Sequence, residues 1–130
     1  MPSDLLPARV DAVVRRILIV DDSRRFRELA AELLAAQGFE VFEDVADGEQ
    51  ALAAVVGECP DGILLDINLP GSDGFTVASS LAAACPGVTI VLASAAFDYV
   101  PADLLKISAA AAFVPKDELA VTDLTALFAA

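Results

Sequence analysis

A chain of 130 residues and 13.4 kDa has room for one compact domain and for no sizeable second module. With 57% hydrophobic residues, 22% charged ones and a mean hydropathy of +0.65 it can bury a core, which argues against a disordered segment. Its 8 basic residues against 20 acidic ones give a formal charge of −12, the wrong sign for a surface that tracks phosphate backbones, so direct nucleic-acid binding is not expected.

Residues 1–15 carry Pro2 and Pro7 without a clean period and are expected to form a flexible N-terminal extension, leaving 16–130 as the domain. The opening MPSDLLPARVDAVVRR places its arginines after the apolar positions, unlike a signal peptide, and no apolar run reaches the length of a membrane span. A cytoplasmic setting and no membrane partner are expected. Short apolar runs then alternate with helical patterns. Strand one is Ile17–Val20; its helix starts from a Ser23 cap, sets Phe26, Leu29, Ala30, Leu33 and Leu34 on one face and stops at Gly38. Strand two is Phe39–Phe42, followed by a helix that Asp47 caps while Gln50 reaches back, with Leu52, Val55 and Val56 as its buried stripe and Gly57 as its end. Strand three is Ile63–Leu65, and its helix runs from about Gly74 to Ala84. Strand four, Val88–Ala93, leads to a helix opening at Pro101, where a missing N–H is harmless. Strand five is Ala112–Val114, and the last helix puts Val121, Leu124, Leu127 and Phe128 on one face.

Five βα units imply an α/β fold: a doubly wound, three-layer sandwich around a parallel five-stranded sheet with right-handed crossovers. Strand two alternates only partly and Pro115 adjoins strand five, so both belong at edges, as the order 2-1-3-4-5 requires. Cys59 and Cys85 each precede a proline and match no metal-ligand spacing; both are expected to be ordinary thiols in a reducing compartment.

In such sheets the site forms beyond the carboxyl ends of the strands. Those ends offer Asp21 and Asp22 after strand one, Asp66 after strand three, Ser94 after strand four and Lys116 after strand five. Three converging carboxylates repel one another unless a cation or protons intervene, and an oxygen-rich acidic pocket suits Mg²⁺. A lysine and a hydroxyl beside it suit a phosphoryl group, and a carboxylate so placed can act as nucleophile toward a phosphoryl donor. Asp66 is the candidate, because it ends an apolar strand and is followed by the loop Asn68–Gly74, which could move to admit a donor.

ILIVDDS (17–23), LLDINLPGSDGF (64–75), IVLAS (90–94) and AAFVPKDEL (111–119) together resemble, in order and spacing, the receiver domain of two-component response regulators over residues 16–129. The resemblance implies that Asp66 accepts a phosphoryl group from a sensor histidine kinase or phosphotransfer protein. It also implies that Asp22 binds Mg²⁺ (or Mn²⁺) directly, that Asp21 acts largely through water, and that the backbone carbonyl of Asn68 completes the set. Ser94 and Lys116 would meet the phosphoryl oxygens and Phe113 would be the switch aromatic. The output would be a reshaped face around helix four, strand five and helix five, read by a downstream protein or by a second copy. Such a chain is a phosphoacceptor and not an enzyme beyond slow self-phosphorylation and self-dephosphorylation.

The turn before strand five reads Ser108–Ala112 without the usual glycine, Lys116 is followed by Asp117 where the family often has proline, and Ala96 offers no side chain to orient water. These departures keep open a phosphorylation-independent docking module. An aspartyl-nucleophile phosphohydrolase would want Asp-x-Asp after strand one, where this chain has Asp21-Asp22-Ser23, and no Gly-x-Gly-x-x-Gly supports a dinucleotide site.

Overall fold

A computed structural model describes residues 15–95 and 108–129. The first fourteen residues of the expected extension and the helix expected from Pro101 lie outside the described residues. Five parallel strands form the main sheet: β1 (Arg16–Val20), β2 (Glu40–Val45), β3 (Gly62–Asp66), β4 (Thr89–Ser94) and β5 (Ala112–Pro115), in the spatial order β2-β1-β3-β4-β5. This is the order expected, with β2 and β5 at the edges. Helices α1 (Arg24–Ala36), α2 (Gly48–Ala54) and α3 (Gly74–Ala84) and a short C-terminal helix (Leu124–Phe128) cover the two faces.

The central strands β1, β3 and β4 are almost wholly buried because both of their faces are covered. Strand alternation sends Leu18, Val20, Ile63, Leu65, Ile90 and Leu92 toward α2 and α3. The intervening Ile17, Ile19, Leu64, Val91 and Ala93 face α1 and the C-terminal helix, where Leu34, Leu119 and Phe128 close the layer. Each helix start is fixed by a side-chain cap. Ser23 Oγ accepts from the Phe26 N–H, Asp47 Oδ1 from Gln50 N–H and Asp73 Oδ1 from Thr76 N–H. Gln50 does reach back, but one residue further than the usual box, accepting the Ala46 N–H at 2.8 Å.

Four expectations about the strands and helices change. Strand two runs to Val45 and carries a bulge: Ile17 pairs with Val41 and Leu18 with Glu43, so Phe42 is the extra residue and the alternation breaks there. α2 ends at Ala54, one turn short of Gly57, which turns Val56 out to solvent at 81% exposure while Val55 stays buried. The last helix splits into a 3₁₀ segment, Lys116–Val121, and the helix Leu124–Phe128; Leu124 and Phe128 are buried but Val121 is not. On α1 the apolar face is narrower than its spacing suggests, since Leu29 is nearly half exposed while Ala30 and Leu34 carry the contact.

The cysteines are not separate thiols. Cys59 and Cys85, 26 positions apart, form a disulfide with a Cα–Cα distance of 5.7 Å. The reason is register. β3 and β4 are parallel neighbours with Gly62 opposite Thr89, so the two similar Cys-Pro joints leading into them come out side by side.

Candidate functional site

Asp21 follows β1 and is pinned from three sides. Its N–H extends the ladder to Val45 O (3.0 Å), its carbonyl accepts from Arg27 Nη1 (2.7 Å), and its Oδ1 accepts the Ser23 N–H (2.9 Å). Asp66 ends β3, the next strand in the sheet, so the two carboxylates come to the same end from adjacent strands. The Asn68 N–H donates to Asp66 Oδ1 at 3.0 Å, which orients that carboxylate from its own loop. This loop is a tight two-residue hairpin, Asn68–Leu69 against Ser72–Asp73, turning through Gly71 at φ 73°, so the open loop expected there is ordered. Gly74 lets α3 start directly behind the phosphoryl-accepting candidate: a Cβ there would lie 2.5 Å from the Ile67 Cα and 2.7 Å from the Asp66 carbonyl oxygen.

Lys116, just past β5, reaches across to both carboxylates. Its Nζ lies 2.6 Å from Asp21 Oδ2 and 3.4 Å from Asp66 Oδ2. Asp21 Oδ2 is buried, and the Lys116 ammonium meets it as an ion pair. Burial pushes the Asp66 carboxyl above its ordinary value; the Asp21 charge adds to this, while the Asn68 N–H and the Lys116 ammonium oppose it. Burial alone would lower Lys116, but the Asp21 hydrogen-bonding contact and charge, with Asp66 behind them, outweigh it and hold the ammonium above its ordinary value.

Asp22, next to Asp21, is exposed, and one carboxylate oxygen from each of Asp21, Asp22 and Asp66 lies within 4.8 Å of the others. Three carboxylates with one ammonium leave an excess of negative charge at hard oxygen donors, and among the described residues the buried Asp21 Oδ2 meets only the Lys116 ammonium. This cluster is fit to hold a divalent cation such as Mg²⁺.

Ser94 ends β4 fully buried, but its hydroxyl donates to the adjoining Ala95 carbonyl at 3.3 Å. Phe113 lies on β5 opposite Leu92, partly buried against the α3-side core. Asp21, Asp22, Asp66 and Lys116 therefore meet at one point, whereas Ser94 and Phe113 sit on the flanking strands β4 and β5. Two residues of α1 that the sequence reading did not place at the site border it. The Phe26 ring lies 4.6 Å from the Lys116 ammonium, and Arg27 ties the Asp21 carbonyl to Asp44 through a 3.0 Å ion pair. The sequence signal was their place in the first turn after Asp21-Asp22, where a helix side chain leans back over the strand end.

Among the described residues no helix is long and apolar enough to cross a membrane. The DNA-binding response regulator MtrA of Mycolicibacterium smegmatis is 41% identical over 91 residues, 70% of this chain and 39% of that protein. A protein-glutamate methylesterase/protein-glutamine glutaminase of Anaeromyxobacter dehalogenans is 40% identical over 78 residues, 59% of this chain and 23% of the relative. The chain thus spans well under half the length of these curated relatives. The fold matches a crystal structure of a LuxR-family two-component response regulator from Aurantimonas sp. with a TM-score of 0.77, covering 89% of this chain and 86% of that one at 24% identity. Residues 17–127 match the response regulator receiver domain family, and with the acidic pair, the strand-end aspartate and the lysine meeting at one end of the sheet, the chain belongs to that family.

Proposed function

We propose that Asp66 is the phosphoacceptor of this receiver, with a sensor histidine kinase or a phosphotransfer protein as donor, and that phosphorylation controls binding to a downstream protein or to a second copy. The observation that supports the reading most is a buried carboxylate at the end of a central strand, oriented by the Asn68 N–H and facing an ammonium 3.4 Å away. In the transfer, an Asp66 carboxylate oxygen bonds to phosphorus as the phosphorus–nitrogen bond of phosphohistidine breaks, its electron pair returning to the imidazole. Burial makes the ionised Asp66 more basic than a solvated carboxylate, and so a better nucleophile.

Asp21, Asp22 and Asp66, with the backbone carbonyl of Asn68, would hold Mg²⁺ or Mn²⁺. When bound, the ion supplies positive charge against the phosphoryl oxygens. Lys116 supplies a second positive point on the other flank by shifting from its carboxylate partners to a phosphoryl oxygen. Ser94 would exchange its long contact to Ala95 for the same group, and Phe113 on the neighbouring strand would move with it. The added charge of about −1.5 to −2 then biases the surface around β5. The chain acts in this reading as a cytoplasmic regulator with a phosphorylated residue and not as a turnover enzyme. Residues 16–130 form the receiver, with 1–15 as its extension.

The test is intact-protein mass spectrometry after incubation with a small acyl phosphate, with Mg²⁺ or with chelator, on wild type and Asp66→Asn. One phosphoryl group is expected on the wild type with Mg²⁺, with labelling at least about 100-fold lower in the variant or in chelator. Stable labelling of Asp66→Asn overturns the assignment. So does a wild type that takes no phosphoryl group either from the acyl phosphate or from a phosphorylated histidine kinase.

A further inference from the structure

The chemistry above uses the carboxyl end of the sheet and leaves a second reactive group at the amino end, the Cys59–Cys85 bond. Its two sulfurs have unlike surroundings. Cys59 is exposed on the joint leading into β3, whereas Cys85 is 1% exposed and packed into the α3-side core with Leu81. Both line a cavity of about 270 Å³, together with Arg15, Asp61, Pro86 and Gly87. One basic and one acidic residue line it, so it does not turn away a thiol of either charge. Its volume lies just under the range of about 300–1,000 Å³ that holds drug-sized ligands, so a small thiol can be seated beside the two sulfurs.

We propose that Cys59 is a thiol-modification site whose reagent is a low-molecular-weight thiol. The incoming thiolate attacks Cys59 Sγ and forms a new sulfur–sulfur bond. The Cys59–Cys85 bond breaks, and its electron pair leaves on Cys85 Sγ, which takes a proton from solvent. The incoming sulfur is oxidised as the Cys85 sulfur is reduced, so no further oxidant is consumed. The products are a mixed disulfide at Cys59 and a buried neutral thiol at Cys85.

Two factors compete over which sulfur is attacked. The exposed Cys59 thiolate would be the better leaving group, which favours attack on Cys85. Attack must also come from beyond the sulfur struck, and Cys59 is exposed whereas Cys85 is buried in the core at 1% exposure. Access decides, because a leaving-group difference only scales a rate whereas occlusion removes the route. The freed Cys85 thiol stays protonated in its apolar surroundings and attacks back slowly, so the adduct accumulates. In a reducing compartment disulfides are mostly transient or redox-sensing, which is the behaviour this pair of environments produces. Opening the bond releases the two ends of the segment that carries β3, Asp66 and α3. The inference does not depend on Asp66 accepting a phosphoryl group.

The experiment exposes the oxidised full chain to graded ratios of glutathione to glutathione disulfide, quenches with acid, and reads intact mass and peptide maps over time. A single glutathione adduct is expected, on Cys59 at least tenfold over Cys85, and Cys85→Ser treated with glutathione disulfide should give the same adduct. Should that variant fail to fold, the wild-type map decides alone. An adduct chiefly on Cys85 overturns the proposal. It is equally overturned by direct opening to two thiols without an adduct, or by a bond that stays closed at every ratio yet opens with the same reagent in guanidinium.

Discussion

At the amino ends of the strands, Cys59 is bonded to Cys85, Asp61 Oδ2 accepts the Arg16 N–H at 2.7 Å, and the Arg16 guanidinium meets Glu58 at 2.5 Å. At the carboxyl ends, Asp21, Asp22 and Asp66 crowd together, and one ammonium faces two of them, Asp21 and Asp66. The same strands run between these regions, so the difference is not one of packing. One end has its polar groups matched and a covalent tie; the other keeps unbalanced negative charge that suits a divalent cation. A domain can hold a destabilised site when stability is supplied elsewhere, and here it is supplied one strand-length away.

The strongest way to break this comparison is to remove the tie. For a separation of 26 positions the chain-entropy relation gives about 3.5 kcal/mol, so Cys59→Ser/Cys85→Ser should lose on the order of 3 kcal/mol in urea unfolding relative to the oxidised wild type. A loss under about 1 kcal/mol would mean that the amino end is not where the domain is anchored.

The next effect is at the other end. Lys116→Met in chelator removes the ammonium facing Asp21 and Asp66 and leaves two buried carboxylates without it. Breaking a fully buried pair costs about 3–5 kcal/mol; Lys116 is 22% exposed, so water screens part of that and about 2 kcal/mol is expected. Lys116→Met/Asp66→Asn should recover much of the loss, since the repulsion goes with the second carboxylate. Strict additivity in the double-mutant cycle would show that the two residues do not share a site.

Much of this was legible in the sequence because it is local or periodic. Ser23, Asp47 and the span Gly74–Ala84 follow from caps and stops, and the meeting of Asp21, Asp66 and Lys116 follows from placing residues at strand ends in a known order. The features that escaped are set by partners distant in the chain. The Phe42 bulge is a property of the β1–β2 pairing, and the shortened last helix depends on Gln37, whose side chain accepts the Leu124 N–H and donates to the Thr122 carbonyl. The disulfide escaped because compartment reasoning outweighed the parallel register that sets two like joints together. Phe26 was assigned to the core by its spacing, and only the reach of Lys116 over its ring makes it a site residue.

The smallest effect sharpens the comparison most, because its sign alone distinguishes the two ends. Asp66→Asn, measured in chelator, should raise stability at pH 7 by on the order of 1 kcal/mol. The folded carboxyl titrates above its ordinary 3.8 because of burial, with the Asp21 charge adding to it, so folding favours the protonated form. Well below 3.8 the group is neutral in both the folded and unfolded chain, and wild type and variant should differ little. As pH rises past that value the unfolded chain gives up its proton first. Wild-type stability then falls until the folded carboxyl has ionised too, and beyond that point the penalty is constant. The asparagine side chain does not titrate, so the variant-minus-wild-type difference should climb as pH rises past 3.8 and level off once the folded carboxyl has ionised. A difference that stays at zero would mean that Asn68 and Lys116 fully compensate the buried charge. A negative plateau would make Asp66 a stabilising partner of Lys116 and place both ends of the sheet under the same rule.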